Sequence, residues 1–129
     1  MGLNEKRKLQ ELKDVVFPER TKELLEISGA PIVYVVDWAS LEEYDALNFI
    51  DNVSCHRINM ALRGICHDQL GKDAVKGGLK KITLTNVKEL TAKSLRFAGG
   101  VLELRCAYAQ GLSGAFSDGE IQKVLEAGL

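Results

Sequence analysis

The hydrophobic pattern of this chain changes period after Gly77-Gly78, and that change limits the folds open to it. Before Gly77-Gly78 apolar residues recur chiefly at helical spacing. After it they alternate with polar ones, as on strands with one wet face. Ile82 and Leu84 alternate with Thr83 and Thr85, Leu95 and Phe97 flank Arg96, and Leu102, Leu104, Cys106 and Tyr108 alternate with Glu103, Arg105 and Ala107. Three half-exposed strands are expected. The last two should meet through Gly99-Gly100, whose freedom to take positive φ suits a two-residue hairpin.

The helical part begins with Leu9, Leu12, Val15 and Val16 on one amphipathic face, which Pro18 interrupts. Pro18 suits the first turn of a second helix carrying Leu24, Leu25 and Ile27, and Gly29 with Pro31 stops it. Residues 1–29 are therefore expected to form a helical hairpin, a subdomain-like extension. Pro31-Ile32-Val33-Tyr34-Val35-Val36 is too short for a helix and continuously apolar, which predicts a strand buried on both faces inside the sheet. Ser40 and Glu43 then stand in capping-box relation, predicting a helix from about Leu41 that runs to about Leu70 and stops at Gly71. Asp51-Asn52 breaks its apolar stripe, so a bend or fresh N-cap is expected there. Ser117 and Glu120 form a second box ahead of Ile121, Val124 and Leu125, and the chain closes on a packed helix. Helices followed by a run of strands predict an α+β fold: one domain over 1–129, with helices on one face of a mostly antiparallel sheet.

The 129 residues are 46% hydrophobic and 27% charged, enough for a core that needs no disulfide or metal. Seventeen Lys and Arg against eighteen Asp and Glu leave a net charge of −1, so no overall field recruits nucleic acid or anionic lipid. No apolar run is long enough to span a bilayer, and MGLNEKRKLQELK is too charged for a signal peptide, so a cytoplasmic protein with no membrane partner is expected. Lys6 stands where a myristoylation signal needs Ser or Thr. Cys55, Cys66 and Cys106 read as reduced, buried thiols.

The doubled dipeptide Cys55-His56 and Cys66-His67 suggests metal or nucleophile chemistry, but eleven helical residues separate the pairs by about 16 Å. Neighbouring residues on a helix also diverge by about 100°, so neither dipeptide closes on one ion, and no metal or other cofactor is expected. Gly111-Leu112-Ser113-Gly114 lacks the G-x-S-x-G spacing of a nucleophile elbow and reads as a turn. Charge, by contrast, is segregated. Residues 31–51 hold Asp37, Glu42, Glu43, Asp45 and Asp51 without a base, whereas residues 71–105 hold eight bases against Asp73, Glu89 and Glu103.

Three functional expectations follow. The leading one is a protein-binding module (an accessory, inhibitor or regulatory subunit with no catalytic set) whose contact surface is Asp37, Trp38, Glu42, Glu43 and Tyr44 and whose partner is another protein or a second copy. The alternative is a small-molecule, anion or enzymatic site between sheet and central helix, using Asp37 with His56, Arg57, Asn59 and Arg63. In that reading Asn59 joins His56 and Arg63 on a polar strip, which a merely solvated helix face would also carry. The third is phosphate binding by Lys72, Lys76, Lys80 and Lys81 around Gly77-Gly78, where the lack of interleaved aromatics disfavours nucleic acid.

Overall fold

A computed structural model describes residues 2–129 and gives a mixed α+β architecture. Helix α1 (Leu3–Glu11) passes through a π-turn at Leu12–Val16 into α2 (Phe17–Ser28), and strand β1 (Val33–Val36) follows. A second π-turn, Asp51–Cys55, joins α3 (Tyr44–Ile50) to α4 (His56–Ile65). Helix α5 (Gln69–Gly78), strands β2 (Lys81–Asn86), β3 (Ser94–Ala98) and β4 (Val101–Cys106), and helix α6 (Asp118–Gly128) complete the chain.

The expected hairpin within residues 1–29 does not form. Backbone angles stay right-handed helical at Glu11, Leu12, Val16 and Phe17, so α1 runs on into α2. Phe17 donates its amide to the carbonyl of Leu12, five residues back. The widened turn lies directly ahead of Pro18, which has no N–H and would crowd the carbonyl four residues before it in a regular helix. It also puts Leu12 and Phe17, otherwise about 140° apart, on the same buried side.

The same device replaces the break expected at Asp51-Asn52. Ile50 and Ile58 are eight residues apart, a phase slip of about 80° on a regular helix. One extra residue in a π-turn cuts that to about 20°, and Ile50, Val53, Ser54, Cys55 and Ile58 are all buried. The helix ends at Ile65 rather than near Leu70, and Asp68 starts α5 by accepting the amide of Gly71 at 2.8 Å. Gly71 is therefore inside a helix and not a stop. A Cβ there would collide with the carbonyl of Ile65, so glycine lets the two helices turn this closely.

The sheet order is β1-β2-β4-β3. The Gly99-Gly100 hairpin pairs β3 with β4 antiparallel, as expected, with φ of 58° and 79°. The other two pairings, β1 with β2 and β2 with β4, are parallel, so the sheet is mixed and not mostly antiparallel. The cause is one connection: residues 87–93 carry the chain past the place β4 later takes, and the hairpin returns β4 alongside β2 in the same direction.

Ile82, Leu84, Leu102, Leu104 and Cys106 point into a single apolar cluster shared with all the helices beyond α1. Each fully buried Leu or Ile contributes about 2 kcal/mol of transfer free energy. The opposite sheet face carries Val33, Val35, Thr83, Glu103, Arg105 and Arg96, none of them buried, and no helix crosses it. Helices thus occupy one face, as expected. Strand β1, expected inside the sheet, is an edge strand with Val33 48% and Val35 46% exposed.

Candidate functional site: an open strand edge beside a groove

In a parallel ladder one residue presents both its N–H and its C=O to the same neighbour, and the next presents both to the other side. Asp37 donates to the carbonyl of Leu84 at 2.9 Å, so Val33, Val35 and Asp37 face β2. The backbone groups of Tyr34 and Val36 face away, along the free edge. Their side chains point down toward the helices: Tyr34 meets Phe17 edge to face at 5.6 Å and donates its hydroxyl to Asn59 Oδ1 at 2.7 Å.

Beside this edge lies a groove of about 370 Å³ between α2 and β1, lined by Pro18, Thr21, Lys22, Leu25, Ala30, Pro31, Ile32 and Val33. Leu25 is 51% exposed, and with Pro18, Val33 and Val35 it continues the apolar surface from the groove around the edge. Lys22 is the cation of the groove and Asp37 the anion at the far end of the strand. Among the described residues neither makes an ion pair.

The opposite edge differs. Strand β3 carries exposed Arg96 at mid-strand, starts beside Lys93, and lies so close to α6 that a Cβ on Gly128 would meet the ring of Phe97 at 2.5 Å. Charge and a covering helix are the usual protections of a sheet edge. Strand β1 has no charged residue within Val33–Val36 and no strand on its outer side.

A polar clasp holds α2 where it makes the groove. Arg20 donates to both carboxylate oxygens of Asp51 at 2.8 and 3.1 Å and to Glu23 at 3.2 Å. Buried Asn59 donates to Glu23 at 2.6 Å and to the carbonyl of Arg20 at 3.2 Å, and Arg63 lies 3.4 Å from Glu23. The hydrogen bond from Asn59, with Arg20 and Arg63 adding to it, holds the Glu23 carboxyl below its ordinary range against the opposing effect of burial. The bond to Asp51 holds the Arg20 guanidinium still more firmly protonated.

The residues singled out from sequence scatter over this frame. Trp38 is half-buried, edge to face with Phe17 at 5.3 Å and beneath Lys13 Nζ at 5.4 Å, while Asp37, Glu42, Glu43 and Tyr44 stand exposed around it. The Ser40 box is not made. Ser40 Oγ donates to the carbonyl of Asp37 and accepts the amide of Asn86, and α3 starts at Tyr44 without a side-chain cap. His56, Arg57, Asn59 and Arg63 do not converge with Asp37. Arg57 reaches the carbonyl of Phe116, Asn59 and Arg63 join the clasp toward α2, and His56 is exposed. Lys72, Lys76, Lys80 and Lys81 are all exposed, with Lys80 tied to the carbonyl of Lys76 and Lys81 on the open sheet face.

Burial disfavours the thiolate at all three cysteines. Burial pushes Cys106 up to about 11 and Cys55 well above the ordinary thiol value, and Ser54 shares a 2.7 Å hydrogen bond with Tyr108 beside them. Sequence reasoning did not single out a groove of about 350 Å³ between α4, α5 and α6, lined in part by His67, Asp68, Gln122 and Glu126. His67 Nδ1 lies 2.7 Å from the carbonyl of Gly64 and so donates to it, and Nε2 lies 3.5 Å from Asp68. Among the described residues no group of three His, Cys, Asp or Glu side chains is placed to hold a metal ion, and no helix is long and apolar enough to cross a membrane.

Fold and site together define a mixed α+β protein with helices on one sheet face and an open, uncharged strand at one edge. Compared with known proteins, the chain matches no family model, no curated relative and no solved structure.

Proposed function

We propose that this chain is a small cytosolic protein-binding module, an accessory or regulatory subunit, and that it docks its partner by adding a strand to β1. One observation carries the reading. Of the two sheet edges, that of β1 is the one whose strand carries no charged residue, and its outward side chains, Val33 and Val35, are apolar and wet. Free backbone groups supply affinity to an incoming strand, and the adjoining groove lined by Pro18 and Leu25 supplies a place for its apolar side chains. Asp37 keeps a place at the end of this surface. Glu42, Glu43 and Tyr44 follow it in the chain, stand exposed, and bear on which partner approaches.

The test is a photocrosslinking residue at Val33, activated in living cells with and without Val35→Lys. A protein adduct that disappears with the added charge is the expected result. Adducts of equal yield in both, or none in either, reject docking at this edge.

A further inference from the structure

Resting on that reading, we propose that the strand added to β1 is β1 of a second copy of this chain, antiparallel about a two-fold axis through Val35. Three features of the edge complement themselves under this operation. With Val35 opposite Val35, the outward N–H and C=O of Tyr34 meet the C=O and N–H of Val36 in the second copy, and the reverse holds across the axis. Every backbone group the edge leaves free is then satisfied. The valines at the axis occupy a non-hydrogen-bonded pair, the position where opposing side chains come closest, so the exposed Val35 side chains cover each other, with Val33 opposite Asp37 of the second copy. Finally, reversal of strand direction carries the Asp37 end of one edge toward the Lys22 groove of the other, two charges that lack an ion pair within the chain.

The axis stands perpendicular to the sheet, so both helix layers remain on one side and the open faces merge into one larger surface. The contact is isologous and stops at two copies. Pairing β1 with β3 would instead be head to tail and would propagate, and Arg96 and the packing of α6 oppose it.

Sedimentation equilibrium and disulfide trapping test the proposal on the whole chain. Wild type should sediment as a dimer, and Val35→Lys as a monomer whose thermal transition remains cooperative. In a pair centred on Val35, Val35→Cys places two thiols within disulfide reach, whereas Val33→Cys places them about 13 Å apart, so cross-linking by diamide should be at least about tenfold faster for the first. A monomeric wild type, or equal trapping at both positions, overturns the proposal. The synthetic peptide of residues 31–37 separates the two levels of failure. If wild type is monomeric but the peptide slows amide exchange at Tyr34 and Val36, docking at the edge stands and only the second copy falls; if the peptide protects neither amide, both fall.

Discussion

Asn59 is the residue whose surroundings departed furthest from its sequence neighbourhood. Beside His56, Met60 and Arg63 it belongs to a polar helix strip, yet it is 1% exposed because α2 brings Arg20 and Glu23 over it from some forty positions away. Nothing local signals that approach. The cysteines, in contrast, were legible one by one, since free cysteine packs as a small hydrophobe, and all three are free and buried. The clasp around Asn59 carries a pH signature. Because the folded-state pKa of Glu23 is depressed, its stabilisation is complete above the ordinary glutamate value of 4.5 and is lost as pH falls through the lower folded value. Glu23→Gln should therefore cost on the order of 1 kcal/mol at neutral pH and progressively less toward pH 3, read from urea unfolding at each pH. A penalty that does not change with pH would mean that the carboxylate charge contributes nothing.

Among the elements, those set by local chemistry were the ones the sequence made readable. The Ser117 box forms as expected, with Ser117 and Glu120 exchanging hydrogen bonds at 3.1 Å each, and the Gly99-Gly100 turn fixes the register of β3 on β4. Ser40 has the same local pattern and fails because Asn86, from the end of β2, takes its hydroxyl and its carbonyl. A tertiary partner outcompetes a cap when it satisfies two groups at once. The π-turns are a middle case: the phase slip from Ile50 to Ile58 can be read from spacing, but a bend and an inserted residue both resolve it. If Asn52 is the inserted residue, its deletion restores a regular helix and leaves both flanks in phase. That deletion should cost less than about 2 kcal/mol, whereas deletion of Met60, within regular α4, should abolish cooperative unfolding. Equal damage from the two deletions would show that the π-turn does more than correct phase.

For the molecule as a whole, the class was legible and the strand order was not. Period and capping report on neighbours in sequence, while the placement of β1 at an edge depends on which strands reach β2 first. A continuous run of β-branched and aromatic residues looks alike in a buried central strand and in an edge strand with a wet apolar face. The distinction is measurable by hydrogen exchange in dilute solution, where the protein is unpaired. Amides of Ile82, Leu84, Leu102 and Leu104 should exchange slowest, and those of Tyr34 and Val36 at least about a hundredfold faster. Slow exchange at Tyr34 and Val36 that persists on dilution would mean that the edge is covered within one chain.

The strand order also bears on synthesis. Strand β4 is the last to leave the ribosome, yet it sits between β2 and β3, both made earlier. Until it emerges, β2 has a neighbour on one side only, β3 has none, and the central place in the sheet is vacant. A nascent chain ending at Gly100 therefore holds three strands that cannot form the finished sheet. Vectorial synthesis gives this protein a late commitment point, at which chaperones that hold exposed strands have the longest time to act.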